Sequence, residues 1–147
     1  MKLPFTIFFI ATCAITTGAR GQNIVNSPTP MFCPQPHEIA PVHLYGRWQA
    51  EFEGLGQEAT LVFERHPELT GSISGTIERQ GVKAQLAGDV DEGEFTLEES
   101  NDGKRISATW LGTVVDQSCG KEIKGLWNND STQVERAFIL RKLPGWQ

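Results

Sequence analysis

The chain has 147 residues, of which 39% are hydrophobic and 21% are charged, and its formal net charge at pH 7 is −5. This length fits one domain. An acidic chain without a basic cluster does not suit nucleic acid, because Lys and Arg side chains are needed to contact phosphates. The same charge balance disfavours binding to anionic lipid surfaces.

Residues 1–21 are predicted to be a secretory signal peptide. Lys2 supplies the positive charge, residues 3–15 are almost wholly apolar, and small residues precede the expected cleavage before Gln22. Loss of this segment, which holds two basic residues and no acidic one, changes the net charge from −5 to −7. The apolar run is shorter than the roughly 20 residues of a membrane span. We therefore expect a periplasmic or secreted protein that is not inserted in a membrane; the alternatives are a lipoprotein signal at Cys13 and an uncleaved anchor.

Two cysteines remain after the signal segment, Cys33 and Cys119. An even pair in an oxidising compartment predicts a disulfide. Closing a loop of this length is expected to stabilise the fold by on the order of 4 kcal/mol in the chain-entropy description. The bond would tie an N-terminal arm to a late loop, and the alternative is two free thiols.

Residues 22–45 are predicted to form an extended, partly mobile arm. The segment has no hydrophobic period and contains Pro28, Pro30, Pro34, Pro36 and Pro41. Prolines at this density exclude a regular helix or a central strand.

From Gly46 to Leu143 the hydrophobic pattern alternates with a period of two residues, which is typical of half-buried β-strands. In the first segment, Trp48, Ala50 and Phe52 fall on one face and polar residues fall on the other. The segments with this alternation are 46–53, 59–65, 72–78, 82–88, 94–98, 105–110, 122–127 and 135–141.

The apolar members of these segments are expected to face inward. Beyond the first segment they are Ala59, Leu61, Phe63, Ile73, Gly75, Ile77, Val82, Ala84, Leu86, Phe95, Leu97, Ile106, Ala108, Trp110, Ile123, Gly125 and Trp127. In the last segment, the pattern leaves open whether Phe138 and Leu140 or Ala137 and Ile139 face inward.

These segments predict an all-β domain over residues 46–143, with a short tail at 144–147. Gly81, Gly93 and Gly103 stand in the connections, where tight hairpins need positive φ. Short strands joined in this way form a meander that loses its exposed edges by closing into a single antiparallel up-and-down β-barrel of about eight strands. The interior of such a barrel is filled by side chains or holds one small ligand. A two-sheet sandwich is the alternative.

Three short motifs resemble the calycin-type barrels, the lipocalins and avidins. Gly46-Arg47-Trp48 is similar to their G-x-W element, residues 69–77 to the glycine-containing third strand of avidins, and residues 138–142 to their closing strand. The resemblance implies a basic residue on the last strand packed over Trp48, for which Arg141 and Arg136 are the candidates. It does not imply biotin binding, since avidins use a tyrosine inside the barrel and the only tyrosine here, Tyr45, precedes the first strand. The chain also resembles small exported proteins of Gram-negative bacteria.

Four aromatic residues are the candidate ligand-binding set: Trp48, Phe52, Trp110 and Trp127. Their period places them on the inner face, where they either pack as core or line an apolar pocket at an open end. Trp146, in the tail, is a further candidate contact residue.

No set of residues predicts catalysis, a metal site or a cofactor. Cys33, His37 and His43 contain metal-ligating atoms, but their spacing matches no established zinc pattern. His66 stands near Ser72 and Ser74 without a nucleophile motif such as G-x-S-x-G. Acidic residues gather in two neighbouring hairpins, where we expect a solvated face or an electrostatic surface for a basic partner. They are Asp89, Asp91, Glu92, Glu94, Glu98, Glu99 and Asp102.

The sequence thus predicts an exported, non-enzymatic binding protein whose barrel carries a small apolar or amphipathic ligand. The alternative is an inhibitor of a protein target, of the protease or lysozyme type, acting through its loops and acidic surface. An enzyme is a third class that no constellation of residues supports. The sequence leaves the oligomeric state open.

Overall fold

A computed structural model of the chain describes residues 33–145. They contain eight antiparallel strands that close into a barrel, each pairing with its neighbours in the chain and β8 pairing with β1. The strands are β1 (Gly46–Phe52), β2 (Glu58–Arg65), β3 (Ile73–Arg79), β4 (Val82–Asp91), β5 (Glu94–Ser100), β6 (Ala108–Val114), β7 (Glu122–Asn129) and β8 (Glu135–Lys142). The predicted up-and-down barrel is confirmed, and the sandwich is wrong. The predicted signal peptide, residues 22–32 of the arm and Trp146 lie outside the described residues.

The period-two pattern identifies most of the core. Trp48, Leu61, Leu97, Trp110 and Leu140 are fully buried, each on the inward face of its strand. In β8, it is Phe138 and Leu140 that are buried, which decides the alternative that the sequence left open.

Two predicted inward residues are wrong: Val82 is 67% exposed and Ile106 is 45% exposed. Val82 directly follows the β3–β4 turn, so its side chain lies at the rim of the barrel rather than inside it. Ile106 lies in the loop before β6, which begins at Ala108 instead of at the predicted Arg105.

Two of the connections are tight turns with the glycines that the sequence predicts. Gln80 and Gly81 have φ values of 50° and 79°, and Glu92 and Gly93 have φ values of 49° and 85°. Positive φ at both central residues is the geometry of a type I′ turn, whose twist matches that of the flanking strands. These turns therefore set the register of β3–β4 and of β4–β5.

The closed end of the barrel, where β1 begins, is covered by residues 33–45. This part of the predicted arm is not extended, because it contains a 3-10 turn (Pro36–Glu38) and a short helix α1 (Pro41–Leu44). Each begins at a proline, and at that position the missing N–H removes no hydrogen bond from the helix. Ile39 and Leu44 are buried in the core, so residues 33–45 form a covering segment that closes this end of the barrel.

The predicted disulfide between Cys33 and Cys119 is confirmed. It joins the start of the described chain to the β6–β7 loop, across 86 residues of sequence. A β-carbon on Gly120, the next residue, would lie 2.6 Å from Cδ1 of Ile39. The disulfide and this close packing together hold the covering segment against the closed end.

Candidate functional site

Trp48 is part of the closed end and is fully buried. Its Nε1 donates a hydrogen bond to the Leu44 carbonyl at 2.7 Å, which links β1 to α1. Lys142 Nζ lies 5.9 Å from the Trp48 ring centroid and donates to the His43 carbonyl at 2.6 Å. Trp48 is thus held by contacts to the segment that closes the barrel.

The basic residue over Trp48 is therefore Lys142, and both residues expected from the calycin resemblance are wrong. Trp48 and Lys142 are direct partners in the β1–β8 register, so their side chains point to the same side. Arg141 points outward instead, and its Nη1 lies 2.6 Å from Glu51 Oε1. Burial, followed by the nearby charge of Lys121, lowers the pKa of Lys142.

The other three aromatic candidates meet at the opposite end of the barrel, which we call the open end. The Phe52 ring centroid lies 5.3 Å from that of Trp110 and 5.6 Å from that of Trp127. Trp110 is fully buried and Phe52 is 7% exposed, whereas Trp127 is half-buried. The structure thus brings together Phe52, Trp110 and Trp127 and places Trp48 elsewhere.

Arg79, the last residue of β3, extends its side chain over these rings. Its guanidinium carbon lies 5.2 Å from the Trp127 ring centroid, 5.6 Å from that of Phe52 and 6.0 Å from that of Trp110. A cation within about 6 Å of an aromatic face is attracted by the ring quadrupole. The side chain is 30% exposed, so part of Arg79 faces solvent.

A buried carboxylate, Glu99, lies beneath Arg79 and is only 3% exposed. Its Oε2 accepts hydrogen bonds from Arg79 Nη2, from Trp110 Nε1 at 3.3 Å and from Trp127 Nε1 at 3.4 Å. A buried charge is tolerated only with such partners. Arg79, Glu99 and the three rings form what we call the open-end cluster.

The prediction that Glu99 belongs to an acidic surface is wrong, because its side chain lies inside the barrel. The remaining acidic residues of the two strands follow one exposed outer face of β4 and β5, where Asp91 pairs with Glu94. Asp91 and Glu92 stand at the β4–β5 turn of the closed end, whereas Glu98 and Asp102 stand at the open end. The intervening strand β5 separates the two groups by about 20 Å at 3.3 Å per residue.

Sequence reasoning missed both charged members of the cluster, although the same period contained the signal. On β3, the inward series Ile73, Gly75 and Ile77 continues to Arg79. On β5, Phe95 and Leu97 continue to Glu99. Because charged residues are expected to face outward, the predicted inward series end at Ile77 and Leu97, one inward position before Arg79 and Glu99.

A cavity of about 180 Å³ lies above the cluster and is lined by Phe52, Leu55, Gln57, Glu58, Arg79 and Trp127. Below it the barrel is filled by large buried side chains, among them Phe63, Phe95 and Phe138. Typical small-molecule pockets have about 300–1,000 Å³. The cavity therefore suits a single ring-sized group rather than a large ligand.

A larger cavity, of about 560 Å³, lies outside the barrel against β2–β5. Its floor includes Ser74, Thr76 and Ala87, and the loop residues Lys104 and Arg105 form one wall. Size favours this groove, but chemistry favours the open end, where a buried carboxylate, a part-exposed guanidinium and aromatic rings converge. We take the open end as the candidate site for that reason.

Two of the histidines, His43 and His66, stabilise local backbone structure. His43 Nδ1 accepts the Ala40 N–H at 2.9 Å, and His66 Nδ1 accepts the Leu69 N–H at 2.9 Å. Within residues 33–145, no group of three His, Cys, Asp or Glu side chains is placed to hold a metal ion. Over the same residues, no helix has the length and apolar character needed to cross a membrane.

Comparison with known proteins yields no family model and no curated protein that matches this sequence. The candidate site is therefore defined by the geometry of the open end.

Proposed function

We propose that this protein is an exported, non-enzymatic binding module that holds a ring-sized group at the open end of its barrel. The group belongs to a small apolar or amphipathic ligand or to a side chain of a larger partner. This proposal retains the predicted role of Phe52 and Trp127 as contact residues, with Trp110 beneath them. Trp48 is assigned to the closed end instead.

The observation that carries the proposal is the part-exposed guanidinium of Arg79 among aromatic rings, above the buried Glu99. A structural core gains little from an ion pair, because replacing one with apolar residues is often neutral or stabilising. Convergent polar groups in an apolar cavity are typical of ligand sites. The two barrel ends thus have different roles, one closed by residues 33–45 and the other available for binding.

Two further features support an exported calycin-type barrel. The contacts of Lys142 with Trp48 and with the His43 carbonyl match the resemblance, in which a basic residue of the last strand covers the G-x-W tryptophan. The disulfide favours an oxidising compartment.

A second candidate function, inhibition of a protein target, is favoured by the surface of the closed end. The β4–β5 turn carries Asp91 and Glu92, and it packs against the covering segment, where a β-carbon on Gly93 would lie 3.0 Å from Pro36 Cβ. An acidic turn beside a disulfide-anchored segment suits a basic protein surface. This function would use the end opposite the open-end cluster.

The test is capture from the compartment in which the protein is made, using protein purified without reducing agent. Native mass spectrometry of the wild type is compared with Leu55→Trp, which fills the cavity without removing Arg79 or Glu99. We expect a discrete bound species on the wild type that is lost on denaturation and is absent from the variant.

Leu111→Trp is the matched control, since it adds the same bulk at a residue that is 59% exposed on the outer face. It should retain the bound species. Equal retention by Leu55→Trp and the wild type would contradict an open-end site. Loss of the species on changing Asp91 and Glu92 instead would favour the inhibitor function.

A further inference from the structure

The chemistry around the cavity also indicates which ring it holds. We infer that the open end recognises a neutral phenolic ring, supplied by a free phenol or by a tyrosine side chain. This inference rests on the proposed function and adds the chemical class of the bound group.

The first argument is size and shape. An apolar cavity of about 150 Å³ is enough to bind benzene, and the open-end cavity has about 180 Å³. Its apolar lining comes from Phe52, Leu55 and Trp127. A cavity of this volume with an aromatic lining suits one six-membered ring.

The second argument is the donor that Arg79 presents. A guanidinium has five N–H donors, and here Nη2 is used by Glu99. Arg79 Nε is buried and has no hydrogen-bond partner within the described part of the chain. Arg79 also lines the cavity and is 30% exposed. Because Nε is shielded from solvent, the ligand is expected to bring an acceptor oxygen to the other guanidinium N–H groups, on the exposed part of Arg79.

The third argument is the acceptors on the rim. Glu58 and Gln57 line the same cavity as Arg79. A hydroxyl accepts from the guanidinium and donates to one of these side chains, which a carboxylate or an unsubstituted ring does not do. A phenol carries such a hydroxyl directly on an aromatic ring, and it is neutral at pH 7 because its pKa is about 10.

Charge argues against an anionic ring. The positive charge of Arg79 is already compensated by Glu99, so it offers an incoming carboxylate little net attraction. Glu58, which lines the same cavity, adds negative potential at the rim. We expect benzoate to bind more weakly than p-cresol for this reason.

The experiment is calorimetric titration of the disulfide-bonded protein with p-cresol, toluene and benzoate as probes. We expect p-cresol to bind about tenfold more tightly than toluene, the difference that one hydrogen bond to a charged group makes. Leu55→Trp should abolish p-cresol binding, and Leu111→Trp should not. Glu58→Gln removes a negative charge from the rim, so it should lower the ratio of p-cresol affinity to benzoate affinity several-fold. This variant leaves Arg79 and Glu99 unchanged.

N-acetyltyrosinamide separates the two sources of the ring. Binding of p-cresol without N-acetyltyrosinamide supports a free phenol, and binding of both supports a tyrosine of a partner. Toluene or benzoate binding as tightly as p-cresol, in a manner abolished by Leu55→Trp, would overturn the phenol inference and leave the proposed function standing. Lack of binding by every probe would overturn the inference too, while the capture experiment decides the function separately.

Discussion

At the scale of single residues, the open end depends on Glu99. One of its carboxylate oxygens accepts hydrogen bonds from a guanidinium and from two indole N–H groups, and the carboxylate is buried. Removing Glu99 would leave the part-buried Arg79 guanidinium and two indole N–H groups without their acceptor, and such a loss costs more than the pair contributes.

Glu99→Ala should therefore lower the free energy of unfolding by about 3–5 kcal/mol, whereas Glu99→Gln, which keeps an acceptor oxygen, should cost about half as much. Urea denaturation followed by tryptophan fluorescence measures both. Glu98→Ala, on the exposed neighbour, should stay within about 0.5 kcal/mol of the wild type. An equal effect of the two alanine variants would show that Glu99 is not a buried anchor.

Asp102 gives a pH-dependent prediction for the β5–β6 loop. Its Oδ1 accepts the N–H groups of Arg105 at 2.8 Å and Lys104 at 2.9 Å, and these bonds lower its pKa from 3.8 to about 2. A carboxyl whose pKa is lower in the folded state stabilises the fold above pH 3.8 and loses that contribution as the pH falls toward 2. Asp102→Ala should thus be less stable than the wild type at pH 7, and the difference should shrink between pH 4 and pH 2.

Acid titration of the unfolding free energy for both proteins checks this, with Asp130→Ala, in another exposed loop at the same end, as the control. A wild-type advantage that stays constant down to pH 2 would contradict the role of the Asp102 carboxylate.

At the scale of elements, paired glycines let β6 and β7 approach beneath Phe138. Gly112 and Gly125 stand opposite each other, and a β-carbon on Gly125 would lie 2.0 Å from the Leu111 carbonyl oxygen. A β-carbon on Gly112 would lie 3.0 Å from Cζ of Phe138. Backbone atoms cannot move aside without disturbing the ladder, so these positions exclude side chains.

Gly125→Ala should consequently destabilise the barrel by about 2–4 kcal/mol through overpacking. Gly56→Ala is the matched control, since nothing lies within 4 Å of its added carbon, and it should be neutral or stabilising by up to about 1 kcal/mol. Thermal unfolding of the two variants compares them directly. Similar melting temperatures would contradict the close approach of the two strands.

Most of the barrel could be predicted from its sequence because strand alternation and turn glycines are local signals. Period two placed Trp48, Leu61 and Phe95 in the core, and Gln80-Gly81 marked a tight hairpin. The wrong predictions, Val82 and Ile106, lie at or beyond the end of a strand, where the alternation of inward and outward side chains no longer applies. The extended arm predicted for the covering segment is wrong because a proline interrupts a helix only in its interior, whereas Pro36 and Pro41 stand at the start of short helical turns.

At the scale of the whole molecule, the two ends of the barrel are built differently. The closed end depends on residues 33–45, held by the Cys33–Cys119 disulfide. The open end depends on the pairing of Arg79, on β3, with Glu99, on β5. The period-two pattern indicates that both residues face inward, but it does not indicate that their side chains meet. Hence the barrel could be predicted from the sequence, whereas the contacts within its open end required the three-dimensional arrangement.

Replacing both bridged cysteines by serine should lower the free energy of unfolding by on the order of 2–5 kcal/mol. Hydrogen exchange should rise most at the closed end, around Ile39 and Leu44, because the covering segment loses its anchor. Equilibrium unfolding and amide exchange of the double variant measure these effects. Unchanged protection of Ile39 would show that packing alone holds the segment.

The most direct test of open-end binding is a two-dimensional NMR titration of tryptophan-labelled protein with p-cresol. Trp127 lines the open-end cavity, and Trp48 lies fully buried at the closed end as an internal reference. We predict a saturable shift of the Trp127 indole N–H signal, an unmoved Trp48 signal, and no shift in Leu55→Trp. A spectrum in which Trp48 moves and Trp127 does not would contradict an open-end binding site, and a spectrum that does not respond to p-cresol would contradict the phenolic ligand.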